Sequence, residues 1–277
     1  AAITATLGYV YKPSKNWQIN SVLSSGFRAP NIDDVGRVRE KSGNITIPNI
    51  YVAPEFAYSA EFGLQKYFNN RRFRIGGNVF YTLLDNYIQR DFVYAPDGSN
   101  LQVAFDGEFG NAVSNQNKGR AYITGFTSSY LGKISNRWNT SGFITYTKGR
   151  TYDTKEPLSS IPPLFGQFEV NYKIGKLELG ADFRFNSKKN IEDFNFTEGI
   201  DNHDLTPIID SNATNDELKY YGSPSWNTLG FNGRYMFNDT LSFQARIANL
   251  FDAHYIEFAS GVSAPGRNIS VSFLATF

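Results

Sequence analysis

The chain has 277 residues, 16% of them aromatic, no cysteine, and a formal net charge of +1. The lack of cysteine excludes a disulfide framework and every thiolate metal site, and the balanced charge leaves no basic excess for nucleic acid. No apolar run approaches the roughly 20 residues of a spanning helix, but that test is blind to barrels, whose strands alternate lipid-facing and lumen-facing residues and average out polar.

With 24 Phe and 17 Tyr, the composition suits pleated, half-buried surfaces. Period-2 alternation predicts about eleven strands along the chain. The first spans 1–12, with Ile3, Ala5, Leu7 and Tyr9 on one face; the second spans 16–28, with Trp17, Ile19, Leu23 and Phe27. A long link, 29–53, leads to strands 54–68 and 71–92, where Phe73, Ile75, Val79, Tyr81 and Leu83 oppose Arg72, Arg74, Asn78 and Thr82. Link 93–118 precedes strands 119–133 and 137–150, and link 151–160 precedes 161–174 and 176–190. The alternation is clearest in 176–190, where Leu177, Leu179, Ala181, Phe183 and Phe185 face away from Glu178, Gly180, Asp182, Arg184 and Asn186. Link 191–220 is followed by 221–237 and 240–258, then by a shorter link, 259–264, and a last strand, 265–277.

The other links are tight and built from turn formers: Pro13 to Asn16, Asn69-Asn70, Ser135-Asn136-Arg137, Gly175 and Asn238-Asp239. Short and long links therefore alternate, as in an up-and-down meander with hairpins on one rim and long loops on the other. Strand parity agrees: if the last strand runs down to the periplasm, Pro13–Asn16 is periplasmic and 29–53 extracellular. A soluble meander or sandwich also fits alternation alone. Strand length and aromatics near strand ends, among them Trp17, Phe27, Phe68, Tyr87, Trp138, Tyr220, Trp226, Phe237 and Phe258, favour a membrane girdle. The expected fold is all-β: a transmembrane antiparallel up-and-down β-barrel.

Catalytic patterns are absent. His203 and His254 lie in no Ser/His/Asp or zinc spacing. His254 reads as a rim residue, and His203 as part of a solvated loop with Asp201, Asp204, Asp210, Asp216 and Glu217, which lacks EF-hand spacing. Asp33-Asp34 are adjacent on a loop and define no acid–base pair. No enzymatic activity, cofactor or resident metal is expected.

Three stretches carry a family resemblance. Gly26-Phe27-Arg28-Ala29-Pro30-Asn31, then Pro54-Glu55 through Glu61-Phe62-Gly63-Leu64, then Asn249-Leu250-Phe251-Asp252 with Pro265-Gly266-Arg267 and a final strand ending in Phe277 resemble, in order and spacing, motifs of TonB-dependent outer-membrane receptors. The resemblance implies a barrel of about 22 strands around an N-terminal plug, of which residues 1–277 are the C-terminal half. The plug and first half would then lie outside this sequence, and this wall would pair with the remaining half or a partner chain, because hydrocarbon does not tolerate open sheet edges. It further implies residence in the outer membrane of a Gram-negative bacterium. The implied function is TonB-energised import of a scarce nutrient such as an iron–siderophore, haem or cobalamin complex. The implied partners are outer-membrane lipid, the TonB complex through the plug, and the barrel insertion machinery, which would read Ile269, Val271, Phe273 and Phe277 by strand addition.

Two other classes fit the residues: a passive porin-like channel, and a barrel subunit of a secretion or assembly complex. Arg28 is expected to pair with a wall carboxylate such as Glu61; the alternative has it brace the loop or line the lumen near an anionic substrate. Tyr51, Phe56, Phe92, Tyr94, Phe105, Phe109, Tyr152, Phe194 and Phe196 are loop aromatics placed to stack on a ligand or to cap the rim. The interval 31–53 has no histidine, which lowers the haem reading, and Ala259–Pro265 lacks the acidic element of the SusC-like glycan importers.

Overall fold

The computed structural model describes residues 2–41, 43–196 and 202–276. In chain order the elements begin with β1 (Thr6–Ser14), β2 (Trp17–Arg28), the one-turn helix α1 (Ile32–Val35), β3 (Arg39–Lys41), β4 (Asn44–Thr46), β5 (Glu55–Phe68) and β6 (Phe73–Asp85). Next come β7 (Ile88–Phe92), β8 (Gln102–Phe105), β9 (Glu108–Asn117), β10 (Arg120–Lys133), β11 (Trp138–Thr151), β12 (Phe165–Ile174) and β13 (Leu177–Asn186). The last are β14 (Lys189–Asn190), α2 (Asp216–Lys219), β15 (Gly222–Ser223), β16 (Trp226–Met236), β17 (Leu241–Ala248) and β18 (Asn268–Ala275).

Eleven strands form one sheet in the order β1-β2-β5-β6-β10-β11-β12-β13-β16-β17-β18. Every neighbouring pair is antiparallel. This is the expected meander, with tight turns on one rim and long connections on the other. β1 and β18 each pair on one side only, so among the described residues the wall has two open edges.

The register assigns the faces. On the outer face Phe27 stands opposite Phe56, Tyr58 opposite Leu83, and Phe62 opposite Val79; Leu23, Phe62 and Val79 are all exposed, as lipid-facing side chains of a lone wall must be. Aromatic rings run across this face: Phe73 on Tyr130 at 6.3 Å, Tyr130 on Phe168 at 6.2 Å, and Phe168 on Phe183 at 6.5 Å. Gly142 lies beneath the middle of this row. A β-carbon there would come within 2.5 Å of the Phe168 ring and 2.8 Å of Tyr130, so the two rings close over the position only because it has no side chain. The inner face is polar. Asn171, Gly180 and Asn232 are in one cross-strand row, Lys173 pairs with Glu178 at 2.5 Å, and Arg246 lies 3.5 Å from Asp182.

Several predicted strands were too long. The segment 71–92 breaks after Asp85, because Asn86 adopts a left-handed φ of +61° and turns the chain out of the wall. The segment 240–258 ends at Ala248 before Asn249, at φ +50°. The wall strands of 176–190 and 221–237 are 177–186 and 226–236, and the first strand begins at Thr6. The links 29–53 and 93–118, read as plain loops, contain a second sheet of five strands, β3-β4-β9-β7 with β8 on β9. Its β4–β9 pairing is parallel and joins residues far apart in sequence, which local alternation does not reveal. Aromatics assigned to the girdle also divide. Trp17, Phe68 and Trp138 lie at the short-turn rim, whereas Tyr87 packs on Leu84, Ala121 and Leu158, and Tyr220 and Phe258 belong to a loop cluster.

Candidate functional site

The long-loop rim holds most of the motif residues. Arg28 ends β2 on the inner face, opposite Glu55. The chain then turns through Pro30 into α1, where Asn31 accepts from the Asp34 amide at 3.0 Å and the Asp34 carboxylate accepts from the Asn31 amide at 2.9 Å. Such reciprocal capping satisfies two amides that a helix start leaves without partners. The same Asp34 carboxylate, 6% exposed in its side chain, forms an ion pair with Arg28. The expected partner Glu61 is therefore replaced by Asp34. Glu61 sits lower on the wall, opposite Val22, while the helical turn folds Asp34 back over the strand end.

The small sheet is attached to this point. Asn115 of β9 donates to the Asp34 carbonyl at 3.2 Å and accepts through its own carbonyl from Asn49 at 2.8 Å. Asn117 accepts from the Ala53 amide at 2.8 Å and donates to the Ala53 carbonyl at 3.0 Å. Glu55 accepts from the Ile88 amide at 2.8 Å. Ile45, Val52, Ile88, Ala112 and Val113 are buried. The two loops thus form one platform, tied by the Asn115 side-chain amide to Asp34, which in turn holds Arg28 and Asn31. From it Tyr51, at 86% exposure, Phe109, at 79%, and Tyr94 and Phe105 project into solvent, while Phe92 is half-buried.

Other predicted loop aromatics lie elsewhere. Phe56 packs against Phe27 on the outer face, and Tyr152 joins Tyr122 at 5.4 Å. Phe194 is 1% exposed, in a cluster with Ile191 and Tyr220 that Phe196 flanks; it is a core residue of its loop and offers no surface to a ligand. The Lys189 ammonium lies 4.5 Å from the Phe194 ring and 4.3 Å from Phe258, and donates to the Ile161 carbonyl at 2.9 Å. His203, expected in a solvated loop, packs edge-on to Phe196 at 4.8 Å and Tyr220 at 5.6 Å; Asp201 of that loop lies outside the described residues. His254 stands 3.1 Å from the Ser263 hydroxyl. Among the described residues no three His, Asp or Glu side chains gather as metal ligands.

The Asn249–Asp252 box is a clamp on the turn between β17 and β18. Asn249, 6% exposed, donates to the carbonyls of Ala253 at 2.8 Å and Pro265 at 3.3 Å, and accepts from the Ala253 amide at 2.9 Å. Asp252 accepts from the Arg267 amide at 2.6 Å. Gly266 is needed beside it, because a β-carbon there would fall 2.7 Å from the carboxylate. Leu250 bonds through its amide to the Leu229 carbonyl at 2.8 Å, and Phe251 is exposed. Ile269, Val271 and Phe273 lie exposed on one face of the edge strand β18; Phe277 lies outside the described residues.

Known proteins share this architecture. Hemoglobin-binding protein A of Haemophilus influenzae is 25% identical over 265 residues, 91% of this chain and 24% of that protein. A probable TonB-dependent siderophore receptor of Acinetobacter baumannii, PirA, is 28% identical over 174 residues, 60% of this chain and 22% of its own length. The chain thus spans about a quarter of the length of the curated relatives it matches. The crystal structure of PirA superposes with a TM-score of 0.72 at 19% identity, covering 99% of this chain and 41% of PirA, and the copper transporter OprC with 0.70 at 17%, covering 98% and 39%. These relatives are named as a binding protein, a receptor and a transporter, and their family resides in the outer membrane of Gram-negative bacteria. The model of the TonB-dependent receptor-like β-barrel matches residues 2–250, which include the Arg28 box, the whole of the loop platform and Asn249: the chain belongs to the TonB-dependent receptor β-barrel family.

Proposed function

We propose that residues 1–277 are the C-terminal half of a receptor barrel that imports an iron-bearing complex, a siderophore or haem, with energy delivered by TonB to a plug in the rest of the protein. The observation that carries this reading is the pair of open edges, β1 and β18, on a wall whose outer face is apolar. Unpaired backbone groups cannot stand in hydrocarbon, so the wall closes with further strands, and the relatives are about four times as long as the aligned region. The relatives are a hemoglobin-binding protein and a probable siderophore receptor, which supports an iron-complex cargo. In this reading Tyr51, Tyr94, Phe105 and Phe109 are ligand-facing aromatics, the Arg28–Asn31 and Asn249–Arg267 motifs brace the loops, and Ile269, Val271, Phe273 and Phe277 guide insertion. No catalytic step is part of it.

The test is uptake of radiolabelled iron, supplied as siderophore or as haem, by cells that depend on the full-length protein. Uptake of one cargo that disappears without TonB supports the reading. Uptake that persists without TonB, or growth that never depends on the protein under iron limitation, overturns it.

A further inference from the structure

Charge is spread unevenly along the barrel axis. The chain has 27 Lys and Arg against 26 Asp and Glu. The five tight turns and the strand ends beside them, residues 12–16, 66–74, 133–138, 173–178 and 236–241, carry ten of those cations and only two carboxylates, Glu178 and Asp239. Glu178 is paired with Lys173. Among the described residues no other cation of this rim has a carboxylate partner, and all of them except Lys66 are exposed. The short-turn rim is thus a band of unneutralised positive charge on a chain that is nearly neutral as a whole.

Several of these cations tie one turn to the next. Arg72 donates to the Asn136 side chain of the following turn at 2.8 Å, and Lys176 donates to the Phe237 carbonyl. Arg71 lies 4.3 Å from the Tyr67 ring. Side chains held in this way lose little further freedom when a ligand binds. Lys66 sits among the lipid-facing rings, 4.8 Å from Trp17 and 5.1 Å from Phe68. By alternation Arg74, Lys133 and Lys173 belong to the inner face. On that side an open depression of about 570 Å³ has Arg72, Lys133, Asn139, Ser141 and Asn171 in its lining and no carboxylate. Cations beside carboxamides and a hydroxyl suit an acid group flanked by sugar hydroxyls and amides.

We propose that the short-turn rim docks on peptidoglycan, with Arg72 and Lys133 taking a carboxylate of a stem peptide in the depression. Short turns of outer-membrane barrels open on the periplasm, where this polymer presents peptide carboxylates on a glycan. A lipid phosphate fits less well, because the cations of the depression open to the inside and away from the lipid-facing rings. The inference rests on the outer-membrane reading, with the short turns periplasmic, and is independent of the cargo imported.

The test is co-sedimentation of the full-length protein, in phosphatidylcholine nanodiscs, with purified sacculi. Arg72→Gln with Lys133→Gln and Arg137→Gln is expected to weaken binding about 25-fold, about threefold per cation as for exposed ion pairs. Arg72→Lys with Lys133→Arg and Arg137→Lys is expected to restore most of it. Sacculi whose carboxylates have been amidated are expected to lose the unaltered protein. Equal binding to amidated sacculi, unchanged binding of the glutamine variant, or an equal loss in Lys155→Gln with Lys219→Gln at the long-loop rim overturns the proposal. Phosphatidylglycerol retention, read by native mass spectrometry, that falls in the glutamine variant while sacculus binding holds also overturns it, by assigning the rim to lipid headgroups. A heat-modifiable gel shift reports folding. If the glutamine variant does not fold, the unaltered protein decides: preference for native over amidated sacculi supports the docking, and no preference refutes it. A protein that inserts as a barrel yet ignores sacculi refutes this inference alone, whereas one that never inserts refutes the membrane reading with it.

Discussion

Replacing Asp34 by alanine tests whether the loop platform is anchored through the Arg28 box. The change removes the acceptor of the Arg28 guanidinium and of the Asn31 amide together. Severing a buried ion pair costs about 3–5 kcal/mol. Arg28, however, has a side chain 46% exposed, so water re-solvates much of its charge and the ionic share shrinks toward that of a surface pair. With about 1 kcal/mol for the lost cap, the net is about 2–3 kcal/mol, or roughly 30- to 150-fold easier opening of the platform. Hydrogen exchange followed by mass spectrometry reads this directly: peptides from 29–53 and 86–119 are expected to exchange faster, and the strands of the wall at their old rate. Faster exchange confined to 29–35 would show that Asn115 transmits nothing to β9. Equal loosening of the wall would show that the platform is no separate unit. Either result refutes the anchoring argument.

Asn249→Ala loses three hydrogen bonds at a buried position, and with them the local side-chain bonding that offsets the cost of left-handed backbone at φ +50°; a loss of about 3–4 kcal/mol is expected in thermal unfolding, with Asn249→Gly, which has no β-carbon, recovering about 1 kcal/mol. Gly142→Ala drives a methyl into the Tyr130 and Phe168 rings and is expected to cost about 1–3 kcal/mol, measured by the denaturant midpoint of the barrel. Phe194→Ala empties the loop cluster at about 3–5 kcal/mol, read as protease cleavage near 187–196 while the barrel stays intact. Tyr51→Ala with Phe109→Ala removes exposed rings and is expected to change stability by less than about 0.5 kcal/mol, so reduced uptake by that variant reports ligand contact, and unchanged uptake removes both residues from the ligand surface.

The wall was legible in the residues because a barrel strand meets lipid on one side and water on the other, and that contrast is written at every second position. Leu177 to Asn186 shows it without interruption. The ends of strands were less legible: Asn86 and Asn249 stop them through left-handed backbone, which only a minority of asparagines adopt. The small sheet was hidden for a different reason. Its strands β3 and β4 are three residues each, too short for alternation to register, and their partner β9 lies far along the chain. The Arg28 partner was misplaced because a wall carboxylate in the next strand box was an obvious candidate, whereas Asp34 reaches Arg28 only after α1 has formed. Phe194 looked like any other loop aromatic, since burial inside a loop leaves no periodic trace.

The parallel pairing of Asn44–Thr46 with Asn111–Val113 also limits how this surface can diversify. Loops that stand alone accept insertions and exchanges one at a time. Here a change of length in either loop shifts the register of a strand in the other, so the two must vary together. A designer transplanting this platform onto another barrel would have to move 29–53 and 86–119 as one cassette, along with Arg28 and Glu55 at its base.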